Sequence, residues 1–464
     1  MTGSLGSSFS LSIASLRDAY LSASAAPVDV VREVYSRIEH DRRDDVWISV
    51  RSFDEAINIA RKLENFSCSK LPLYGIPFSV KDNIDVCGLQ TTAACPAYSY
   101  MPAQSASVVR YLENSGAICI GKTNLDQFAT GLNGTRSPYG ECRSAFNKNY
   151  ASGGSSSGSA VSVALQQVSF SLGTDTGGSG RIPAGLNHIF GLKPTVGSLS
   201  SHGLVPCCPS LDCPSVFSLA IEDAVLVADV MHSYDSLDST LRVCRPGYEF
   251  GLSELPTDIS ILVPELSQLE FFGNQAGHDL YLQALDYISE LGFRLQHFDY
   301  SPFIEAGRLL FNGPWLADRY ASIGEFLIAN PSDVLDTTYA IVEGGSSIAG
   351  EEVFKAQQRV AQLKSIVRSL LQPNNLLVLP TVAPLYTVEQ LKKDPIELNN
   401  HFGYYSYFAN ILDLCAVSFP HGFYSNGMPF GLTAMGPAFS DAVVARFAKV
   451  LTDPLGHVFG KSRL

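Results

Sequence analysis

The sequence predicts an α/β protein built around a large mixed, mainly parallel sheet that is covered by helices on both faces. Short apolar strands alternate with helical segments from about residue 72 to 250, and a strand–helix–strand run follows at 258–300. The apolar stretch 374–384 is typical of a buried strand that returns to the sheet. Such alternation is the usual pattern of α/β architectures.

The N-terminal part shows two helical patterns. Apolar residues recur at helical spacing over 10–21 and 27–40, and the second segment opens with Pro27 and Asp29, which favour a helix start. We assign residues 1–45 to this pair of helices, and residues 46–464 to one large domain. We expect the pair to pack on that domain or to contact a second copy of the chain.

The elements of the large domain follow in order along the chain. The alternating region supplies three strands and two helices, which are GIPFSVKD (75–82), SASVVRYLENSG (105–116), AICIGK (117–122), GSAVSVALQQ (158–167) and VSFSLGTD (168–175). Later come a strand at 258–264, a helix at 274–292, a strand at 293–300, helices near 303–329 and 350–371, and a closing helix at 440–453. We interpret residues from about 255 to 372 as a lateral segment that faces the substrate pocket.

Charge and composition exclude several classes of partner. A net charge of −13 disfavours a broad surface for nucleic acid or acidic membranes. The opening residues MTGSLGSSFS lack the features of a signal peptide, and no apolar run is long enough to span a membrane, so we expect a cytoplasmic protein. Cys207, Cys208 and Cys213 have no partners at zinc-ligand spacing, and we therefore predict buried apolar thiols and no metal.

Two glycine–serine stretches are the candidate catalytic loops. ASGGSSSGSA (151–160) continues at once into an apolar helix, which indicates a tight turn at a helix N-terminus and not a flexible tether. GTDTGGSGRIPAG (173–185) can aim several backbone N–H groups into one space, where they would stabilise an oxyanion. The predicted donors of this oxyanion hole are Thr176, Gly177, Gly178 and Ser179.

A nucleophilic serine also needs a base. His188 and His202 lie nearest in sequence, but neither sits in a nucleophile motif, and Ser179 is not in a G-x-S-x-G elbow. Lys81 ends an apolar strand, where desolvation can keep an amine neutral. Ser155 would then pass a proton between Lys81 and Ser179. A phosphate-binding loop is disfavoured because the G-x-x-x-x-G-K-[ST] pattern is missing.

Three of these segments resemble, in order, the signatures of the amidase signature family. They are VKDNID (80–85), GGSSSGS (153–159) and GTDTGGSGRIPA (173–184), and the resemblance extends over about 72–220 and 376–450. It implies an α/β/α three-layer fold and a Ser-cisSer-Lys triad that needs no cofactor. In that triad Ser179 is the nucleophile, Ser155 follows a cis peptide bond and relays the proton, and Lys81 is the base.

Further segments are similar to the allophanate hydrolases of that family. They are TTAACPAYSY (91–100), NLDQFATGLNGTRSPYG (124–140), SLDCPSVF (210–217) and FNGPWLADRY (311–320). This likeness implies cleavage of the terminal amide of allophanate to ammonia and N-carboxycarbamate, in urea or nitrogen catabolism. It also implies that Arg319, whose planar guanidinium suits a carboxylate, binds the substrate, with Gly131, Phe311 and Tyr320 as further contacts.

Two residues depart from the allophanate hydrolase pattern: Phe311 replaces an expected tyrosine, and Asn133 an expected apolar residue. The alternatives are therefore another small-amide hydrolase of the biuret or malonamate type, and an amidotransferase A-like subunit. Many allophanate hydrolases carry a C-terminal domain that acts on N-carboxycarbamate, and we expect that domain to be separate or missing here. We also expect a homodimer, and we interpret Asp175 and Arg181 as residues that shape the second loop.

Overall fold

One sheet of eleven strands runs through the part of the chain that the computed structural model describes, residues 9–244, 247–311, 313–456 and 459–461. The strands are β1 Trp47–Val50, β2 Pro77–Lys81, β3 Ile118–Thr123, β4 Phe170–Asp175, β5 Phe190–Lys193, β6 Cys213–Ser218, β7 Ser260–Pro264, β8 Arg294–Phe298, β9 Asn375–Pro380, β10 Leu414–Phe423 and β11 Pro429–Pro437. Their order is β1-β3-β2-β4-β6-β5-β10-β11-β9-β7-β8. Residues 1–8, which carry most of the segment examined for a signal peptide, lie outside the described residues.

The sheet is mixed, as predicted, but it is not mainly parallel. Parallel pairs join β3, β2 and β4, and again β9, β7 and β8. The other neighbours pair antiparallel, including the long β10–β11 hairpin at the centre. The expectation failed because β5, β6, β10 and β11, which were not recognised in the sequence, contribute only antiparallel pairs.

Helices cover the sheet as the α/β class requires. They are α1 Ile13–Leu21, α2 Pro27–His40, α3 Phe53–Leu63, α4 Ser107–Asn114, α5 Ser157–Ala164, α6 Ile182–Leu186, α7 Ile221–Met231, α8 Gln275–Glu290, α9 Ser301–Phe311, α10 Trp315–Ala329, α11 Asp336–Glu343, α12 Gly350–Leu370, α13 Val388–Lys393, α14 Glu397–Phe402, α15 Phe408–Ile411 and α16 Asp441–Thr452. Helices α5 and α6 contact each other, β4 and β5, while α4, α7 and α16 form a second connected row. Among the described residues no helix has both the length and the apolar character needed to cross a bilayer.

The predicted lateral segment is divided between the sheet and its surroundings. Strands β7 and β8 extend the main sheet through β9, so they do not form a separate unit. Helices α10 and α11 pack around a second hydrophobic cluster that includes Ile323, Leu327 and Val342, apart from the main core. The domain division itself, at residues 45 and 46, stays a prediction.

The N-terminal helices pack on the body of the protein. Leu16 on α1 and Val31 and Val34 on α2 are completely buried. Arg37 on α2 is buried as well, and its guanidinium donates to the carboxylate of Glu33 and to the carbonyl of Gln166, just after α5. The predicted contact of this part with a second copy of the chain stays a prediction.

Candidate active site

Lys81 is the last residue of β2, a strand between β3 and β4 whose five residues are all buried. The Lys81 Nζ lies 2.7 Å from the Ser155 Oγ and 2.7 Å from the Thr174 Oγ1. Burial lowers the pKa of Lys81 to about 8, although nearby acidic groups, among them Asp126 and Asp212, oppose that decrease. The amine therefore loses its proton at a lower pH than an exposed lysine does.

Ser155 lies between the amine and a second hydroxyl. The Gly154–Ser155 peptide bond is cis. A Cβ at position 154 would lie 2.6 Å from the Gly134 nitrogen, so only glycine fits before this serine. The Ser155 Oγ donates to the Ser179 Oγ at 2.9 Å. Amine and hydroxyls thus form a continuous hydrogen-bonded chain along which a proton can move.

The loop that carries Ser179 is fixed by a buried ion pair. Asp175, the last residue of β4, accepts from the Gly178 and Gly180 N–H groups at 3.0 and 2.9 Å. The Arg181 guanidinium binds both oxygens of the same carboxylate at 2.9 and 3.0 Å. Burial alone would raise the pKa of Asp175, but Arg181 holds it below its usual value. Asp175 and Arg181 therefore shape this turn, as predicted.

Of the four predicted oxyanion donors, one is already engaged. Because the Gly178 N–H donates to Asp175, it is not free to receive a developing charge. The backbone N–H groups of Thr176, Gly177 and Ser179 make no hydrogen bond to any residue that the structure describes. The Gly178 N–H is therefore removed from the predicted set, because it is bound to the Asp175 carboxylate within the turn. The role of Thr176, Gly177 and Ser179 as oxyanion donors stays a prediction.

Asp212 supports the start of the same loop. Its carboxylate accepts the Thr176 hydroxyl and the N–H groups of Cys207 and Cys208, the latter two at 2.7 and 3.0 Å. Burial raises the pKa of Asp212 to about 6, so it is ionised at neutral pH. Its negative charge opposes the loss of the proton from Lys81. Cys207, Cys208 and Cys213 are buried free thiols, as expected.

Arg319, on α10, is 2% exposed. Its Nε and Nη1 atoms have no hydrogen-bond partner among the described residues. Its Cζ lies 5.3 Å from the centroid of the Phe311 ring. Phe311 in turn contacts the catalytic loop, because a Cβ at Gly177 would lie 3.0 Å from its ring. A buried guanidinium with unused donors therefore lies beside the loop that holds Ser179.

Gly131, another predicted substrate contact, lies near the Ser155 turn. Gly131 is buried beside Leu132, whose carbonyl accepts the Gly154 N–H at 2.8 Å, and so it is close to the Ser155 turn. The side chain of Asn133 is occupied, since it donates to Asn399 and accepts from Thr135.

The structure does not link Tyr320 to the triad. Its ring packs in the second hydrophobic cluster against Gly324, and its hydroxyl makes no hydrogen bond to a described residue. The assignment of Gly131, Phe311 and Tyr320 as substrate contacts stays a prediction.

Sequence reasoning missed several residues of this site. Thr174 is the residue before Asp175 on β4, and its position near the end of an apolar strand was a usable signal. Ser406 and Asn410 carried no such signal: Ser406 donates to the Gly177 carbonyl at 2.8 Å and Asn410 to the Asp175 carbonyl at 2.8 Å, across roughly half the chain. The described residues contain no cluster of potential metal ligands.

Comparisons with solved structures identify close architectural relatives. The fold is similar to that of the allophanate hydrolase of Kluyveromyces lactis, with a TM-score of 0.89 at 37% identity over 97% of this chain and 75% of that one. It is also similar to a glutamyl-tRNA(Gln) amidotransferase subunit of Thermotoga maritima, with a TM-score of 0.75 at 26% identity over 92% and 91% of the two chains. The predicted α/β fold class of the family is confirmed.

Comparisons of sequence give the same grouping. The urea amidolyase of Saccharomyces cerevisiae is 40% identical over 87% of this chain, which spans only 22% of that protein. A glutamyl-tRNA(Gln) amidotransferase subunit of Lactobacillus johnsonii is 31% identical over 90% of this chain and 91% of its own length. The family model described as Amidase matches residues 29–444. The chain therefore belongs to the amidase family, as its motifs predicted.

Proposed function

We propose that this chain is an allophanate hydrolase that releases the terminal amide of allophanate as ammonia and leaves N-carboxycarbamate. The observation that carries the proposal is a hydrogen-bonded Lys81–Ser155–Ser179 chain together with the buried guanidinium of Arg319, whose Nε and Nη1 have no partner among the described residues. The first supplies the chemistry of amide cleavage, and the second supplies a site for the carboxylate of the substrate. The similarity to an allophanate hydrolase and to urea amidolyases supports the same assignment.

The reaction begins with a proton transfer away from Ser179. In its neutral form the Lys81 amine has a lone pair, and the Ser155 hydroxyl, 2.7 Å away, can rotate its hydrogen from Ser179 toward it. Ser155 passes its proton to Lys81 and takes the proton of Ser179, whose oxygen attacks the amide carbon of the substrate. The N–H groups of Thr176, Gly177 and Ser179 stabilise the negative charge on the former carbonyl oxygen.

The tetrahedral adduct then collapses. The proton returns from Lys81 through Ser155 to the nitrogen of the leaving group, which departs as ammonia. Water repeats the same sequence on the acyl-enzyme, releases the acid and restores the Ser179 hydroxyl. Every proton in this cycle moves between groups that lie within 2.9 Å of each other, apart from those of substrate and water.

A second candidate is the hydrolysis of a related small anionic amide such as malonamate. The observation that favours it is Phe311, which offers a ring without a hydroxyl beside the catalytic loop. A third, glutamine hydrolysis for a partner that modifies charged tRNA, is supported by the relatives that match this chain over nearly their full length.

A substrate panel separates these functions. Ammonia release from allophanate, malonamate, biuret, acetamide and glutamine is measured on the purified protein. Allophanate as the substrate of highest kcat/KM supports the proposal, whereas a preference for glutamine or acetamide contradicts it. Ser179→Ala serves as the blank, with an unchanged circular dichroism spectrum as the check on its fold.

We further propose a cytoplasmic location and a homodimer. The ten free cysteines support a reducing compartment. Because the chain spans 22% and 23% of the length of the two urea amidolyases it matches, we propose that the reaction of N-carboxycarbamate takes place in a different domain or protein. Light scattering and the product ratio of ammonia to carbon dioxide test these points.

A further inference from the structure

Tyr407 carries a buried hydroxyl that no role described so far uses. The residue precedes α15 and is 6% exposed, and its Oη has no hydrogen-bond partner among the described residues. Buried tyrosine hydroxyls usually find a partner, because an unpaired buried polar group destabilises the folded protein. A buried hydroxyl without a partner among the described residues can donate a hydrogen bond to a bound ligand.

The ring of Tyr407, through its Cδ1 atom, lies beside the catalytic loop. A Cβ at Gly177 would lie 3.1 Å from the Tyr407 ring and 3.0 Å from the Phe311 ring. The two rings stack, with centroids 3.5 Å apart and planes at 25°. The preceding residue, Ser406, donates to the Gly177 carbonyl at 2.8 Å, which ties this segment to the loop. Tyr407 therefore flanks the predicted oxyanion donors.

Two buried guanidiniums belong to the same neighbourhood. The Arg319 guanidinium lies over the ring of Phe311, which is the ring that stacks on Tyr407. Arg136 binds the carbonyls of Thr130 and Pro395 through its Nη atoms, and its Nε has no partner among the described residues. Both cations act on Tyr407, where they oppose the increase of its pKa that burial causes.

The carboxylate of Glu397 also acts on Tyr407, where it raises the pKa, and it lies 3.4 Å from the His401 ring. Two further carboxylates near these donors are engaged elsewhere. Asp126 accepts the backbone N–H groups of Gly134 and Arg136 at 3.0 and 2.9 Å, and Asp212 is bound by the Cys207 and Cys208 N–H groups and the Thr176 hydroxyl. Neither acid forms an ion pair with Arg319 among the described residues. Among the described residues, the donors without a partner are thus Nε and Nη1 of Arg319, Nε of Arg136 and the Tyr407 hydroxyl. Donors of this kind match the lone pairs of a carboxylate.

We propose that the Tyr407 hydroxyl is a specificity-determining donor that binds the carboxylate of the substrate together with Arg319. The proposal rests on the proposed function, because it concerns the anionic end of the same substrate. It defines the substrate class as small amides that carry a carboxylate next to the scissile end, and it separates them from neutral amides of equal size.

Tyr407→Phe tests the proposal with a matched pair of substrates. Malonamate has a carboxylate where malonamide has a second amide, and the two are otherwise equal in shape. The expected result is a decrease of about 10- to 100-fold in kcat/KM for malonamate, the range for a hydrogen bond to a charged group, and less than about twofold for malonamide. An equal decrease for both substrates, or no decrease for malonamate, overturns the proposal.

Stability and a neighbouring tyrosine supply the controls. Because the hydroxyl has no partner among the described residues, Tyr407→Phe should not lower the melting temperature of the ligand-free protein, whereas loss of a purely structural hydroxyl would lower it. Tyr404→Phe removes a hydroxyl from the same segment that donates to the Gln268 carbonyl at 3.1 Å. It should leave the ratio of the malonamate and malonamide constants unchanged.

A binding measurement distinguishes failure of this inference from failure of the proposed function. If the protein hydrolyses neither allophanate nor malonamate, the proposed function is wrong. Calorimetric binding of malonamate to Ser179→Ala, with and without Tyr407→Phe, still tests the donor. Binding that weakens by about 10-fold or more in the double variant supports it. Equal affinities, or no binding of malonamate to Ser179→Ala, overturn it.

Discussion

Replacing Arg319 by methionine should change activity far more than stability. The side chain is buried, and its Nε and Nη1 donate to no residue that the structure describes. In the proposed complex these two donors bind the substrate carboxylate. In the free protein they contribute no hydrogen bond to a described residue, and the charge has lost its contact with water.

The expected changes in kcat/KM and in the free energy of unfolding follow from these two donors and from the buried charge. Two hydrogen bonds to a charged group contribute about 1.5–3 kcal/mol each, so Arg319→Met should lower kcat/KM for allophanate by about 10²- to 10⁴-fold. Burial disfavours the charge of Arg319, but nearby acidic groups, among them Cys207 and Asp212, favour it and raise its pKa above the usual value of an arginine. Because these contributions oppose each other and Nε and Nη1 make no hydrogen bond to a described residue, we expect only a small change in the free energy of unfolding of the variant.

Two assays on the same preparation measure both effects. Initial rates of ammonia release give kcat/KM for malonamate and malonamide, and urea unfolding gives the stability. Arg308→Met, on the exposed face of α9, removes one positive charge as a control and should change neither quantity by much. Equal losses of activity toward the anionic and the neutral amide, or a clear decrease in stability, would show that Arg319 is a structural residue and refute the reasoning.

Three other predictions concern the triad and its loop. Ser179→Ala should reduce kcat by a factor on the order of 10⁴ or more with an unchanged melting temperature, and residual turnover near that of the parent protein would remove Ser179 from the mechanism. Because only the neutral form of Lys81 can accept a proton and burial lowers its pKa to about 8, kcat/KM should rise about tenfold per pH unit below that value and level off above it; a flat profile between pH 6 and 8 would contradict this role. Asp175→Asn should destabilise the protein by about 3–5 kcal/mol in urea unfolding, since it leaves the buried guanidinium of Arg181 unpaired. Glu351→Gln, which breaks an exposed pair with Lys355, should cost less than about 0.5 kcal/mol, and equal effects of the two substitutions would show that the buried pair is not special.

The strands that sequence analysis found are those with a local signal. β2, β3 and β4 are apolar runs bounded by turns, and they became the parallel part of the sheet. β5, β6 and β11 contain glycine, cysteine or proline within short segments, as in FGLK, CPSVFS and PFGLTAMGP. Their extended conformation depends on partners across the sheet, such as the antiparallel pairing of β10 with β11. For that reason the sequence overestimated the parallel share.

The meeting of Lys81 with the serine loops follows from topology. β2 and β4 are parallel neighbours, so their carboxyl ends lie at the same edge of the sheet. Lys81 is the last residue of β2. Thr174 is the last residue but one of β4, and the loop that carries Ser179 follows that strand. Ser155 precedes α5, the helix that leads from this edge back to the start of β4. Two strand ends and one helix start therefore suffice to predict the chemical centre, whereas the Gly178 N–H was misassigned because its bond to Asp175 depends on the detailed turn.

The residues that would select the substrate are brought together differently from the triad. Arg136, Arg319 and Tyr407 come from three distant segments, and what makes them useful is the lack of a partner among the described residues for some of their donors. That property depends on where every neighbouring carbonyl and carboxylate lies, so no local pattern in the sequence encodes it. The triad, in contrast, is fixed by backbone elements that contact one another directly. It follows that substitutions among the three donors should alter the choice between anionic and neutral amides. The proton path through Lys81, Ser155 and Ser179 should stay intact. The ratio of kcat/KM for malonamate to kcat/KM for malonamide measures this separation directly.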